Sequence, residues 1–224
     1  MSFHISAPRQ AAPLPACIVW DWNGTLQDDV QAAVNGINVL LAERELPLVD
    51  VAQHRATFTF PVRKYYQALG FVLEEENWDS MARQFHHHFL SDSSAVLWPE
   101  TRRTLEQFRQ SGVEMMILSA SERNILEDLL QRYGIRHYFQ QVCGLDDLNA
   151  RSKLEAGREL VNSLGLSPDQ IWFVGDTVHD WEVASTVGSP CLLLEGGYHS
   201  RERLGACGCP VLPSIAAVPS FFGI

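Results

Sequence analysis

The stretch Ala16-Cys17-Ile18-Val19-Trp20-Asp21-Trp22-Asn23-Gly24-Thr25-Leu26 decides the fold. It opens as a short continuous apolar run and stops abruptly on a carboxylate. A continuous run, rather than an alternating one, suits a strand buried on both faces of a parallel sheet. Comparable runs recur at Val113 to Leu118, Ile171 to Val174 and Cys191 to Leu194, with a weaker one near Phe139 to Cys143.

Helices with clear punctuation separate these runs. Pro99 opens one that carries Leu105 and Phe108 and stops before Gly112. Ser121 is placed to cap the next, whose apolar face is Ile125, Leu126, Leu129, Leu130 and Tyr133, with Gly134 as its stop. Ser152 and Glu155 have capping-box spacing ahead of Leu160, Val161 and Leu164. A last helix, after Asp180, carries Val183, Ala184 and Val187 and ends at Gly188. Alternating strand and helix predict an α/β fold with a doubly wound parallel sheet.

One block breaks the alternation. Between Asp29 and Leu97 only helical stripes appear: Val30, Ala33, Val34, Ile37, Leu40 and Leu41, then Val62 to Leu69, then Trp78, Met81, Phe85 and Phe89. The reading is a loose tail over 1–15, an α/β core over 16–29 and 97–224, and an inserted all-helical cap over 30–96. His86-His87-His88 is read as a partly solvated helix. Successive helical residues point about 100° apart, so three in a row do not converge on one ion.

Composition bounds the function. The 224 residues are 46% apolar and 20% charged, which is ordinary for a globular protein with a full core. A net charge of −10 argues against nucleic acid or an anionic membrane as partner. The five cysteines are irregularly spaced, and Cys207 and Cys209 lack a second pair for zinc, so a reducing cytoplasm is expected. No apolar run is long enough to span a membrane. The first residues lack the apolar core of a secretory signal. Oligomeric state is not legible.

Ligands of such sheets bind at the carboxyl ends of the strands. Asp21, Ser119, Lys153 and Asp176 each fall at or just beyond such an end. A carboxylate there can attack phosphorus. Asp21 and Asp176, with the backbone carbonyl of Asn23, offer hard oxygen ligands for Mg²⁺. Lys153 suits a phosphoryl oxygen and the nucleophile. Ser119 and neighbouring backbone N–H groups, such as that of Ala120, suit the remaining oxygens. Gly24 permits a sharp turn beside the ligand. Taken singly, each is also an ordinary cap or turn residue; the case rests on their order and placement together.

Asp21-Trp22-Asn23-Gly24-Thr25-Leu26, then Ser119, Lys153 and Gly175-Asp176-Thr177-Val178-His179-Asp180, resemble the four ordered motifs of the haloacid dehalogenase-like hydrolases. The helical insert resembles the small cap of their phosphoglycolate phosphatase-like branch. The resemblance implies a Mg²⁺-dependent phosphatase for a small phosphorylated metabolite. It implies Asp21 as nucleophile, Ser119 and Lys153 as phosphate binders, Asp176 as a metal carboxylate and Asp180 at or beside the metal. One position departs. The family's phosphatases usually carry an acid–base Asp two residues after the nucleophile, and here it is Asn23. A side-chain amide has no proton to exchange near neutral pH. Either the leaving group needs little help, or His179, His199 or a cap residue serves, or turnover is slow, or the protein binds a phosphorylated ligand without hydrolysing it. A carbon–halogen hydrolase is a third class, disfavoured because such relatives need no metal and Asp176 and Asp180 are kept. Arg63, Tyr65 and Tyr66 are read as solvent-facing and core residues of a cap helix.

Overall fold

The computed structural model describes residues 11–73, 75–145 and 153–224. Among the described residues eight strands form: β1 Cys17–Trp20, β2 Gln27–Asp28, β3 Val96–Leu97, β4 Glu114–Glu122, β5 Gln141–Leu145, β6 Ile171–Gly175, β7 Cys191–Leu194 and β8 Val211–Leu212. Six of them make one sheet in the order β5-β4-β1-β6-β7-β8, with every pairing parallel. Successive residues of β1 point to opposite faces, and both faces are covered. Ile18 and Trp20 pack with Leu105, Phe108 and Ile117 on one side; Cys17 and Val19 pack with Met116, Leu118 and Phe173 on the other. The continuous apolar runs reflect that double burial.

The order of the strands makes the site. From β1 the chain crosses to β4 on one side, and from β6 it crosses to β7 on the other, so connections diverge between the adjacent strands β1 and β6. A crevice forms at such a switch point. Trp20 is level with both Ile117 and Val174, so Asp21, Ser119 and Asp176 emerge on one edge.

The helical block comprises α1 Val30–Ala42, α2 Val51–Thr57, α3 Val62–Ala68 and α4 Glu75–Ser91. It has its own apolar cluster, with Ile37, Leu40, Phe58, Tyr65, Tyr66 and Met81 buried in it. Gly36 lets α1 approach α4: a Cβ there would lie 3.3 Å from Phe85. Block and sheet are joined by an antiparallel ribbon, β2 with β3, which helical periodicity did not anticipate. The remaining helices are α5 Thr101–Gln110, α6 Arg123–Arg132, α7 Lys153–Leu164, α8 Val178–Val187, α9 Arg201–Gly205 and α10 Val218–Phe221.

Two local expectations are corrected. Ser121 does not cap α6: the preceding residue is Glu122, without a side-chain cap, and the Ser121 hydroxyl is used elsewhere. Residues 11–15, expected as part of a loose tail, are docked, with the Ala12 N–H donating to Phe221 O at 2.9 Å and Pro15 buried. Ser152 and residues 1–10 lie outside the described residues. Among the described residues, no helix is long and apolar enough to cross a membrane.

Candidate active site

Asp21 continues β1 by one residue, its N–H donating to Val174 O at 2.9 Å. Asp176 follows β6 directly. Asp180 lies in the first turn of α8 and completes a capping box with Thr177. These three buried carboxylates present oxygens that all lie within 4.8 Å of one another.

Lys153, at the start of α7, reaches into the cluster. Its Nζ donates to Asp180 Oδ1 at 2.5 Å and also contacts Asp21 Oδ1. Asp180 Oδ2 accepts from the Thr177 hydroxyl at 2.7 Å and the Thr177 N–H at 3.0 Å. Both oxygens of Asp180 are thus engaged by the protein. Asp176 Oδ1 accepts from the Thr25 hydroxyl at 2.6 Å, and Oδ2 from the Tyr198 N–H at 2.6 Å. These bonds fix the carboxylates before any ligand arrives.

Charge in the cluster does not balance. Burial pushes Asp21 up to about 6 despite the neighbouring Lys153 ammonium, with Asp180 adding repulsion. Burial, then Asp21 and Asp180, push Asp176 well above the usual carboxylate range. Burial also opposes the charge of Asp180, but Lys153 and the Thr177 donors outweigh it and hold the carboxyl low. Three carboxylates against one ammonium leave a negative surplus that a bound cation relieves. Hard oxygens at this spacing fit a divalent ion.

Gly24 has a specific reason to be glycine. Its φ is +76°, and a Cβ would lie 2.4 Å from Asp176 Oδ2. It therefore serves the turn and the close approach of Asp176, and does not line the cavity described below.

Asn23 is held at both ends. Its Nδ2 donates to Asp29 Oδ2 at 2.5 Å, and its Oδ1 accepts from the Ser121 hydroxyl at 2.6 Å. Asp29 is fully buried, and its other oxygen accepts from the Gly24 N–H at 3.0 Å. Burial raises Asp29 to about 7, although the Asn23, Gly24 and Tyr198 donors favour the charged form. Sequence reading missed Asp29 and its contact with Asn23; its place directly after Asp28, at the close of the first motif, gave no sign of it.

The cluster opens into a cavity of about 700 Å³. Asp21, Asn23, Lys153, Ala120, Ser121 and Thr177 line one part of it. Ser119 does not line it; buried behind, its hydroxyl oxygen accepts from the Ser121 N–H at 3.0 Å. Of the two histidines read as candidates, His179 lines the cavity, pairs with Glu182 at 3.0 Å and stacks on Phe60. His199 is buried outside it, with Nδ1 accepting from the Val178 N–H at 3.0 Å. Arg63, read as solvent-facing, lines the cavity with its guanidinium 5.6 Å from the Trp78 ring centre, and Tyr65 and Tyr66 line it while also packing. His86 lines the cavity too; among the described residues the histidine run forms no metal-binding group.

The model of the haloacid dehalogenase-like hydrolases matches residues 18–194. The chain belongs to this family. A probable phosphatase of Dickeya dadantii is 25% identical over 84% of this chain and 85% of its own length. A phosphoglycolate phosphatase of Pseudomonas putida is 27% identical over 86% of this chain and 74% of its own. Among solved structures, a haloacid dehalogenase-like hydrolase of Streptococcus pneumoniae superposes with a TM-score of 0.79 at 19% identity, covering 93% of this chain and 98% of that one. Protein Tyrosine Kinase A of Mycobacterium tuberculosis also gives 0.79, at 18% identity, covering 95% and 100%. At such identities the likeness establishes the fold alone.

Proposed function

We propose that this protein is a magnesium-dependent phosphatase that hydrolyses a small phosphate monoester through an aspartyl-phosphate on Asp21. The observation that carries this reading is the set of three buried carboxylates, two of them bonded to Lys153, beside a cavity that Asp21 and Lys153 line. The phosphatases among the relatives support the same class of substrate.

Asp21 and Asp176, with the backbone carbonyl of Asn23, would hold the ion, and Asp180 stands beside it. When bound, magnesium supplies positive charge against the phosphate oxygens. Asp21 attacks phosphorus in line with the leaving oxygen. Lys153 holds Asp21 in place and neutralises charge on the phosphoryl group. Asp180 orients Lys153. Ala120 and Ser121 bound the phosphate end, with Ser119 fixing the backbone behind them, and Gly24 lets Asp176 come close. The helical block over 30–96 acts as a cap that shields this chemistry from water. For the second step, release of phosphate from Asp21, His179 is the cavity-lining base to test first.

The test is a panel of phosphate monoesters and acyl phosphates assayed with magnesium and with EDTA. Hydrolysis that needs magnesium is expected. Hydrolysis that survives EDTA, or none on any substrate, removes the proposal. A second reading, a protein that binds a phosphorylated ligand without turning it over, is favoured by one observation: both polar ends of Asn23 are already engaged and neither can exchange a proton. It predicts magnesium-dependent binding of inorganic phosphate without turnover.

A further inference from the structure

The cavity is far larger than a phosphate needs. About 700 Å³ is the size that holds a drug-sized ligand. A two-carbon ester of the kind named by the phosphoglycolate phosphatase relatives leaves most of it unfilled.

Its lining is aromatic. Phe58, Phe60, Tyr66, Trp78, Phe85 and Phe89 all face it, contributed by the helical block. Tyr65 lines it as well, and its hydroxyl is already engaged, 2.7 Å from Nδ1 of His54. Away from the carboxylate cluster the charged lining is Glu122 and Glu182 against Arg63, and Arg63 lies over the Trp78 ring. Two carboxylates against one guanidinium do not make a site for a second anionic group on the substrate. Stacked and edge-on rings make a site for a flat apolar one.

Asn23 points the same way for an independent reason. When an ester oxygen leaves phosphorus, an alkyl alkoxide needs a proton at once, whereas a phenoxide does not. Asn23 cannot supply that proton, and a weakly basic leaving oxygen is the kind that does not ask for it.

We propose that the natural substrate is an aryl phosphate, its ring held against the aromatic wall and its phosphate against Asp21. The proposal rests on the phosphatase reading above. In the first step a bond forms from Asp21 to phosphorus, the bond from phosphorus to the aryl oxygen breaks, and the electron pair leaves as a phenoxide that takes its proton from water. In the second, water adds its oxygen to phosphorus, the bond to Asp21 breaks, and the water proton passes to a base. One ester and one water give one phenol and one phosphate.

Two measurements on the full chain with magnesium test this. The first is calorimetric binding of three inert phosphonates: 1-naphthylmethylphosphonate, methylphosphonate and phosphonoacetate. The naphthyl compound is expected to bind at least roughly tenfold tighter than either of the others, as burial of a ring implies. Trp78→Ala and, separately, Phe89→Ala are each expected to remove most of that preference, with circular dichroism as the fold control. Equal binding, or tightest binding of phosphonoacetate, overturns the proposal. The second compares phenyl phosphate with benzyl phosphate, which differ by one methylene in bulk and far more in leaving-group basicity. Phenyl phosphate is expected to be cleaved faster by roughly the 10²-fold or more that a missing general acid costs. Equal rates overturn the aryl assignment and leave the phosphatase reading intact. If neither ester is hydrolysed, the phosphatase reading falls. A naphthyl preference in binding then still supports an aryl phosphate as the ligand, and its absence removes both.

Discussion

The carboxyl edge of the sheet and the aromatic wall above it are built on opposite principles. At the edge nearly every polar atom is answered by another: Asp176 by Thr25 and Tyr198, Asp180 by Thr177 and Lys153, Asn23 by Asp29 and Ser121. The wall is mostly aromatic rings, with Arg63, His54 and His86 set among them. On the phosphatase reading proposed above, the contrast teaches that reaction and recognition are separable. A crowded polar edge tolerates no change of geometry, because each group fixes its neighbours. An apolar wall tolerates volume-conserving change and alters only what fits.

The sharpest way to break the edge is Asp21→Asn. Hydrolysis is expected to fall by three orders of magnitude or more, roughly what loss of a covalent nucleophile costs, while circular dichroism stays unchanged. Retention of most of the activity would remove Asp21 as nucleophile.

Asn23 comes next, and its contact with Asp29 dictates how to test it. Asn23→Asp alone sets two carboxylates at a contact now 2.5 Å long, where they must share a proton or move apart. The paired variant Asn23→Asp/Asp29→Asn keeps one carboxylate and one amide there. It is expected to raise turnover by roughly 10²–10⁴, the usual worth of a general acid–base group, and the single variant by less. Stopped-flow release of an aryl alcohol checks this. The natural protein is expected to show a burst, since the shared aspartyl-phosphate limits the rate when the leaving group is good, and the paired variant should shrink it. No burst and no gain would mean that another residue, His179 first, already serves.

Gly24→Ala probes crowding without touching charge. A Cβ at φ +76° would lie 2.4 Å from Asp176 Oδ2, so a loss of at least about 1–2 kcal/mol is expected in urea unfolding, together with weakened magnesium binding. Wild-type stability would refute the close approach.

The smallest effect belongs to the wall. Burial holds His54 far below its usual range, at about 3, with His199 and Arg55 adding to the depression. The folded state therefore keeps this ring neutral between about 3 and 6.5, where the unfolded chain binds a proton. His54's contribution is fully present above 6.5 and is lost as pH falls through that window. Relative to His54→Gln, the wild type is expected to lose urea stability between pH 7 and pH 5. A constant difference between the two would count against it.

Much of the edge was legible in the sequence because a parallel sheet converts apolar runs into a common boundary. Once four runs were placed, Asp21, Ser119 and Asp176 had to emerge together, and Lys153 opened a helix aimed at them. What escaped is what register does not encode. The Asp29 contact with Asn23 spans the turn at Gly24, and Ser121 reaches Asn23 from the stretch of β4 where pairing is irregular, between Leu118 and Glu122. The ribbon of β2 and β3 is two residues per strand, too short for any period to register. The wall was half legible: the helical stripes foretold that Tyr65, Tyr66 and Phe85 pack, but a stripe does not say which flank of a buried helix is left facing a void.

That ribbon has an architectural consequence. Gln27 pairs with Leu97 and Asp28 with Val96, so the chain leaves for the helical block and returns from it along one ladder, its two crossings about 5 Å apart. The entropic cost of closing such an excursion grows only with the logarithm of its length, about 0.6 kcal/mol per doubling, so its length is weakly constrained. The helices are therefore built as a cassette with a standard plug: on the phosphatase reading proposed above, a different insert ending on the same two-residue ladder would bring new selectivity to an unchanged reaction.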